Sequence, residues 1–257
     1  MYPRPPVKEP VSVIMPVYNE GDMIETVVSN YAEVVIRHLP AGSEFVIQDG
    51  GSNDGTKEIL QECEKRWPFL RVIYEGKKEG IPRALQALIR AAKCPWVFMV
   101  DSDGQSLATE FWQLAPHMEA NDVILGLRTV RHDPLYRRYG SMAFSLYAGA
   151  LFGLRVRDIN AAFRLCRREV MMECADRYGH LSNAIYAEST IWCHALGYRI
   201  CQVPVMFGPR LYGQSHAFPE GTQWTQFFRS FAEVTRLRGT INELRKKGEL
   251  KGRPARP

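Results

Sequence analysis

The sequence has no CxxC pair and no cysteine–histidine spacing suited to zinc, although six cysteines (Cys63, Cys94, Cys166, Cys174, Cys193, Cys201) occur among its 257 residues. This excludes a zinc ribbon or thioredoxin-like site and points to reduced thiols in a cytoplasmic protein. A long hydrophobic run is also missing. The longest mostly apolar stretch, Met142 to Leu154, is interrupted by Ser145 and two glycines, and a membrane span needs roughly 20 apolar residues. Residues 1–10 are proline-rich and polar, unlike a signal peptide. No GxGxxG is present where it would be expected. The glycine-rich turn reads GGSNDG at Gly50–Gly55, which disfavours a dinucleotide-dependent dehydrogenase. The reading is a soluble or peripheral protein rather than an integral one.

A strong charge of one sign is lacking too: 33 Lys and Arg stand against 28 Asp and Glu, a net +5. The surplus lies at one end. Residues 218–257 carry nine basic and four acidic side chains, which leaves 24 against 24 in residues 1–217. A neutral body disfavours nucleic-acid binding. A basic tail points to an anionic partner such as a membrane surface. With 46% hydrophobic and 24% charged residues, the chain is an ordinary globule able to bury a core and shape a cleft.

The first half alternates strand and helix signals. Apolar runs at Val11–Met15, Phe45–Ile47, Leu70–Tyr74, Trp96–Val100 and Val123–Leu125 are separated by helical periodicities, as in Ile24, Val27, Val28, Tyr31, Val34 and Val35. This pattern predicts an α/β fold with a mainly parallel sheet flanked by helices, and ligands at the carboxyl ends of its strands. Pro16–Glu20, Gln48–Asp54 and Asp101–Gln105 should therefore line one cleft. In the second half, Leu135–Leu154, Glu169–Tyr178 and Ile185–Leu196 read as helices, while Ala162–Cys166 and Tyr198–Val205 read as strands. Trp224–Lys247 reads as an amphipathic helix with an apolar stripe that includes Trp224, Phe227, Phe228, Phe231, Val234, Ile241 and Leu244.

Asp101-Ser102-Asp103 directly follows the apolar strand VFMV, and Gln105 adds a neutral oxygen. Two carboxylates two residues apart at a strand end can share a hard cation such as Mg²⁺ or Mn²⁺, which prefers oxygen ligands and bridges to diphosphate. A solvated turn with a helix cap is the plain alternative for the tripeptide alone.

The company of this tripeptide narrows the choice. PVYNE (Pro16–Glu20), QDGGSNDGT (Gln48–Thr56) and VDSDGQ (Val100–Gln105) together resemble the family 2 glycosyltransferases of the GT-A fold. The resemblance implies that Pro16, Tyr18, Glu20 and Asp49 contact the nucleoside. It implies that Asp101 and Ser102 bind the donor, and that Asp101, Asp103 and Gln105 hold the metal. The family's usual pair of aspartates in the second loop is Asp49-Gly50 here. Further on, GLRTVR (Gly126–Arg131), RRYGS (Arg137–Ser141), DINAAFRLCRREVM (Asp158–Met171) and RLYGQS (Arg210–Ser215) resemble dolichol-phosphate mannose synthase and related polyprenyl-phosphate glycosyltransferases. By that resemblance Arg128, Arg137 and Ser141 hold the acceptor phosphate, and Arg210 reaches the donor diphosphate from a mobile segment, Arg210–Pro219. Arg137 and Ser141 are i and i+4 on a helix and can face one anion. Two departures stand out: NAAFR (Asn160–Arg164) replaces the common TSGFR, and His216 stands where a basic residue often follows.

The implied reaction is inverting transfer of a hexose from a GDP- or UDP-linked sugar to a polyprenyl phosphate. It would take place in a catalytic domain of residues 1–217, with the tail of residues 218–257 at the cytoplasmic membrane face. A phosphate monoester, with a second pKa of about 6, is already largely anionic and needs no general base. A hydroxyl acceptor does need one, and Glu188 in YAEST is the second-half carboxylate that the pattern offers. A glycan or small-molecule hydroxyl acceptor, and a non-catalytic nucleotide-sugar-binding scaffold, are the competing readings.

Overall fold

A computed structural model of the chain describes residues 4–76, 80–129, 135–182, 184–208 and 223–250. The first half is built from β1 (Val11–Val17), α1 (Ile24–Val34), β2 (Glu44–Asp49), α2 (Thr56–Arg66), β3 (Leu70–Tyr74), α3 (Ile81–Ala91), β4 (Trp96–Met99), the single turn α4 (Phe111–Leu114) and β5 (Val123–Arg128). Then come α5 (Leu135–Phe152), β6 (Arg164–Arg167), α6 (Arg168–Ala175), α7 (Ile185–Ala195), β7 (Ile200–Val205) and α8 (Gln223–Lys246).

The strands form one sheet in the order β3-β2-β1-β4-β6-β5-β7. β1, β2, β3 and β4 are parallel, as are β5 and β7. β6 runs against both of its neighbours, pairing Met99 with Arg164 on one side and Leu125 with Arg164 on the other. Alternating strand residues feed two cores. One face buries Val13, Phe45, Ile47 and Phe98 under α1, α2 and α4. The other buries Ile14, Val46, Val97 and Met99 under α3, α5, α6, α7 and α8. Burial on both faces is why the strands read as unbroken apolar runs.

Pro16 sits inside β1, a central strand, without disrupting the ladder. The pairing of β1 with β4 ends at Ile14 opposite Met99, so the missing proline N–H has no strand partner to lose.

Helix α8 is bound to the body. Val234, Leu237 and Ile241 are buried in the larger core, and Phe231 packs its ring on Phe144 and Tyr147 at 5.6 and 5.0 Å. Glu233 accepts hydrogen bonds from the Ser182 backbone and hydroxyl. An apolar stripe of this kind can pack on a membrane or on the body of the protein; here most of it is spent on protein packing, with Phe228 left exposed. The side chain of Trp224 lies outside the described residues.

Candidate functional site

The carboxyl ends of β2, β1 and β4 lie side by side, so their following loops meet. The first two loops are laced together. Backbone N–H groups of Asn19, Glu20 and Gly21 donate to Ser52 Oγ, Thr56 Oγ1 and Asp54 Oδ2 at 2.9, 2.9 and 3.0 Å. Asn19 takes a left-handed conformation (φ 53°), which asparagine tolerates, and exchanges two hydrogen bonds with Asn53. Pro16, Tyr18 and Glu20 are partly exposed on this rim. Asp49, expected as a nucleoside contact, lies at the end of β2. Its carboxylate is buried and turned into its own loop, accepting from the Ser52 hydroxyl at 2.5 Å and the Ser52 N–H at 3.2 Å. These bonds shape the turn.

The third loop carries the carboxylate pair. Asp101 and Asp103 are half-buried, Ser102 is buried, and Asp103 Oδ1 accepts from the Gln105 N–H at 3.1 Å. Burial, and then the charge of Asp103, push the Asp101 carboxyl up to about 6; Tyr186, Arg128 and Arg164 oppose the rise. A carboxyl such as Asp101 that resists ionisation beside a second acidic side chain is short of positive charge, which is the electrostatic condition a divalent cation relieves. No group of three or more His, Cys, Asp or Glu side chains converges among the described residues. The donor set thus fits a cation that keeps several positions for diphosphate oxygens or water, as Mg²⁺ and Mn²⁺ do.

Further residues come to the same sheet edge from the end of β5 and the turn before β6. Arg128, the last residue of β5, makes a two-pronged ion pair with the fully buried Asp158 (Nε–Oδ2 2.7 Å, Nη2–Oδ1 3.1 Å), and Phe207 lies 5.8 Å from its guanidinium. It is close enough to Asp101 to hold that carboxyl down. In α5, Ser145 Oγ accepts from the Ile159 N–H at 3.4 Å. Ser141 is one helical turn earlier on the same face. Arg210, His216 and the side chain of Arg137 lie outside the described residues.

Glu188 departs from the role of a base. It is fully buried and accepts from the backbone N–H groups of Gly179, His180 and Leu181 and from His180 Nδ1, all at 3.0 to 3.1 Å. It anchors the loop before α7. Asp158 and Tyr186, whose hydroxyl donates to Asp101 Oδ1 at 3.2 Å, are site residues that the sequence reading missed. An aspartate at the head of DINAAFR, ahead of a mostly apolar run, was the one available signal for the first. Nothing local marked the second.

A model of glycosyl transferase family 2 matches residues 12–175. Glycosyltransferase AglJ of Haloferax volcanii is 27% identical over 216 residues, covering 80% of this chain and 65% of that protein. An undecaprenyl-phosphate 4-deoxy-4-formamido-L-arabinose transferase of Pseudomonas savastanoi pv. phaseolicola is 30% identical over 173 residues, covering 65% of this chain and 51% of that protein. The chain thus spans 51 to 65% of the length of these relatives. Among solved structures, a mannosyltransferase from Pyrobaculum calidifontis in complex with GDP-Man and Mn²⁺ superposes with a TM-score of 0.61 at 19% identity, covering 90% of this chain and 64% of that one. Glucosyl-3-phosphoglycerate synthase from Mycobacterium tuberculosis, in complex with Mn²⁺, UDP and phosphoglyceric acid, gives 0.65 at 18% identity, covering 90% and 79%. At such identities the likeness shows a shared fold, GT-A. The match over most of both sheet halves, on a fold that gathers the three donor-side loops at one edge, places the chain in glycosyl transferase family 2.

Proposed function

We propose that the chain is an inverting glycosyltransferase that moves a hexose from a nucleoside diphosphate sugar to a polyprenyl phosphate, with Mg²⁺ or Mn²⁺ at Asp101, Asp103 and Gln105. The observation that carries the reading is Arg128, a cation locked by Asp158 at the carboxyl end of β5 and electrostatically close to Asp101. A planar guanidinium held in this way suits a phosphate acceptor. The names of two relatives, undecaprenyl-phosphate sugar transferases from Pseudomonas, support an acceptor of this class. The GDP-Man, UDP and Mn²⁺ bound by structural neighbours support the donor and the metal.

When bound, the cation would neutralise charge building on the departing diphosphate. Arg128 and Ser141, with Arg137 from the same helix, orient the acceptor phosphate. Its oxygen is already anionic near neutral pH and attacks the anomeric carbon on the face opposite the leaving group, which inverts the configuration. Glu188, tied to the loop before α7, leaves the proton balance of the step unchanged.

The acceptor's lipid also needs a place. Helix α5 exposes Leu135 (67%), Tyr139 (60%), Met142 (51%) and Leu146 (67%) at i, i+4, i+7 and i+11, the face opposite the buried Phe144 and Ala148. Such an exposed stripe supports peripheral contact with the cytoplasmic membrane face. No helix among the described residues is long and apolar enough to cross a membrane.

The test is transfer from labelled GDP- and UDP-sugars to a short-chain polyprenyl phosphate, with and without Mg²⁺ or Mn²⁺. Metal-dependent label in the lipid fraction, lost in Asp103→Ala and Arg128→Ala, is expected. Donor hydrolysis or transfer to added glycans without a lipid product would replace the reading with a hydroxyl acceptor. Donor binding without any turnover would replace it with a scaffold.

A further inference from the structure

The carboxylate that ends β4 is braced from behind by a chain of contacts that the donor loops do not supply. Val100 makes the last ladder hydrogen bond, to Ile14, and Asp101 then leaves the sheet. The side chain that meets it comes from α7: the Tyr186 hydroxyl donates to Asp101 Oδ1 at 3.2 Å. That leaves the other carboxylate oxygen for a ligand.

Tyr186 is itself fixed. The Arg164 guanidinium lies 5.3 Å from its ring centroid, in cation–π geometry. Arg164 is fully buried and donates to the Ala161 carbonyl and to Thr190 Oγ1, and Thr190 Oγ1 in turn bonds the Tyr186 carbonyl at 2.9 Å. The start of α7 is held as well, because Ala187 N–H donates to Asn160 Oδ1 at 3.0 Å. Arg164 is unusual for a buried cation. Among the described residues no carboxylate is in ion-pair contact with it, and an unpaired buried charge is costly. The negative charge nearest in kind is the Asp101–Asp103 pair, reached through Tyr186.

We infer that Tyr186 is a positioning residue for the metal site: backed by Arg164, it fixes the orientation of Asp101 so that this carboxylate is presented ready-made to the divalent cation. The inference rests on the proposed function, since it assigns Asp101 to a metal. It also gives the NAAFR turn a purpose. Asn160, Ala161 and Arg164 of that turn hold α7, the guanidinium and the tyrosine in line. Partners of this kind, one bond removed from the metal, typically cost about 10–100-fold in metal affinity when removed.

The test is Mn²⁺ binding, followed by the electron paramagnetic resonance signal of free Mn²⁺ in the presence of GDP or UDP, with no acceptor or turnover. Tyr186→Phe keeps the ring beneath Arg164 and removes only the hydroxyl. The expected result is Mn²⁺ binding about tenfold weaker than wild type, with the circular dichroism spectrum unchanged. The double variant Tyr186→Phe with Asp101→Asn should bind no worse than Asp101→Asn alone, because the hydroxyl acts through that carboxylate. Tyr186→Phe binding Mn²⁺ as tightly as wild type, or losing affinity equally in both backgrounds, overturns the inference alone. Wild type that binds no Mn²⁺ with either nucleotide overturns the functional reading and this inference with it.

Discussion

Replacing Glu188 with glutamine separates a catalytic base from a structural anchor. The Glu188 carboxylate takes four hydrogen bonds, three from backbone N–H groups of residues 179–181 and one from His180 Nδ1, and is fully buried. Glutamine keeps one acceptor oxygen and turns an NH₂ toward the remaining donors, so at least the Leu181 N–H loses its partner, and the charge facing His180 is lost. Breaking a buried, charge-assisted cluster of this kind costs about 3 kcal/mol or more. For a domain of this size 1 kcal/mol moves Tm by roughly 2–4 °C, which gives a fall of about 6–12 °C. Turnover measured well below both melting temperatures should drop less than about tenfold, because the attacking phosphate needs no base; removing a true general base costs about 10²–10⁴. The assays are a thermal melt and an initial-rate measurement on the same preparations. A Glu188→Gln protein that melts like wild type but has lost turnover by a thousandfold would refute the reasoning and make Glu188 the base for a hydroxyl acceptor.

Asp158→Asn should destabilise the protein by about 3 kcal/mol by leaving Arg128 without its buried partner, and should raise KM for polyprenyl phosphate while nucleotide binding, measured by calorimetry, stays put. Asp101 must lose its proton to hold a cation, and its pKa is raised to about 6, so Mn²⁺ affinity should fall as pH drops below about 6, approaching tenfold per unit for the one proton displaced. In the metal-free protein a carboxyl raised on folding weakens the fold as pH rises from about 4 through about 6, so added Mn²⁺ should raise Tm more at pH 7 than at pH 5. Leu135→Glu with Leu146→Glu should abolish co-sedimentation with anionic vesicles, since each buried leucine is worth about 1.5–3 kcal/mol, and leave the melting temperature close to wild type. Gly126→Ala should cost about 1–3 kcal/mol in a chemical denaturation curve, because a Cβ there would lie 2.9 Å from both Phe163 and Val205.

Much of this architecture is legible in the sequence, and the reasons are local. Strands buried on both faces announce themselves as apolar runs, and the loops that follow them carry Pro16–Glu20, Gln48–Asp54 and Asp101–Gln105 to one edge. What stays hidden depends on partners distant in the chain. A short strand such as Arg164–Arg167 says nothing in its sequence about its direction, so the antiparallel β6 has no signature. A stripe such as Phe231, Val234 and Ile241 buries equally well against lipid or against Phe144 and Tyr147. Glu188 and Asp49 are acidic residues in suggestive motifs, but only the fold shows that their carboxylates face inward, to residues 179–181 and to Ser52. Tyr186 and Asp101 are 85 positions apart, and no periodicity connects them.

The sheet order has a consequence for how the protein is made. Among the described residues β6 is the only strand joining the β3-β2-β1-β4 block to the β5–β7 pair. On the ribosome β4 and β5 both emerge before it, and they belong to opposite sides of a gap that does not yet have its occupant. Until β6 is synthesised and inserted between them, β4 presents a bare apolar edge, the kind of surface that recruits wrong strands. The nascent chain is therefore most exposed to mispairing in the interval between β5 and β6, and a fragment ending there would keep the donor loops but carry an open edge in place of a finished sheet.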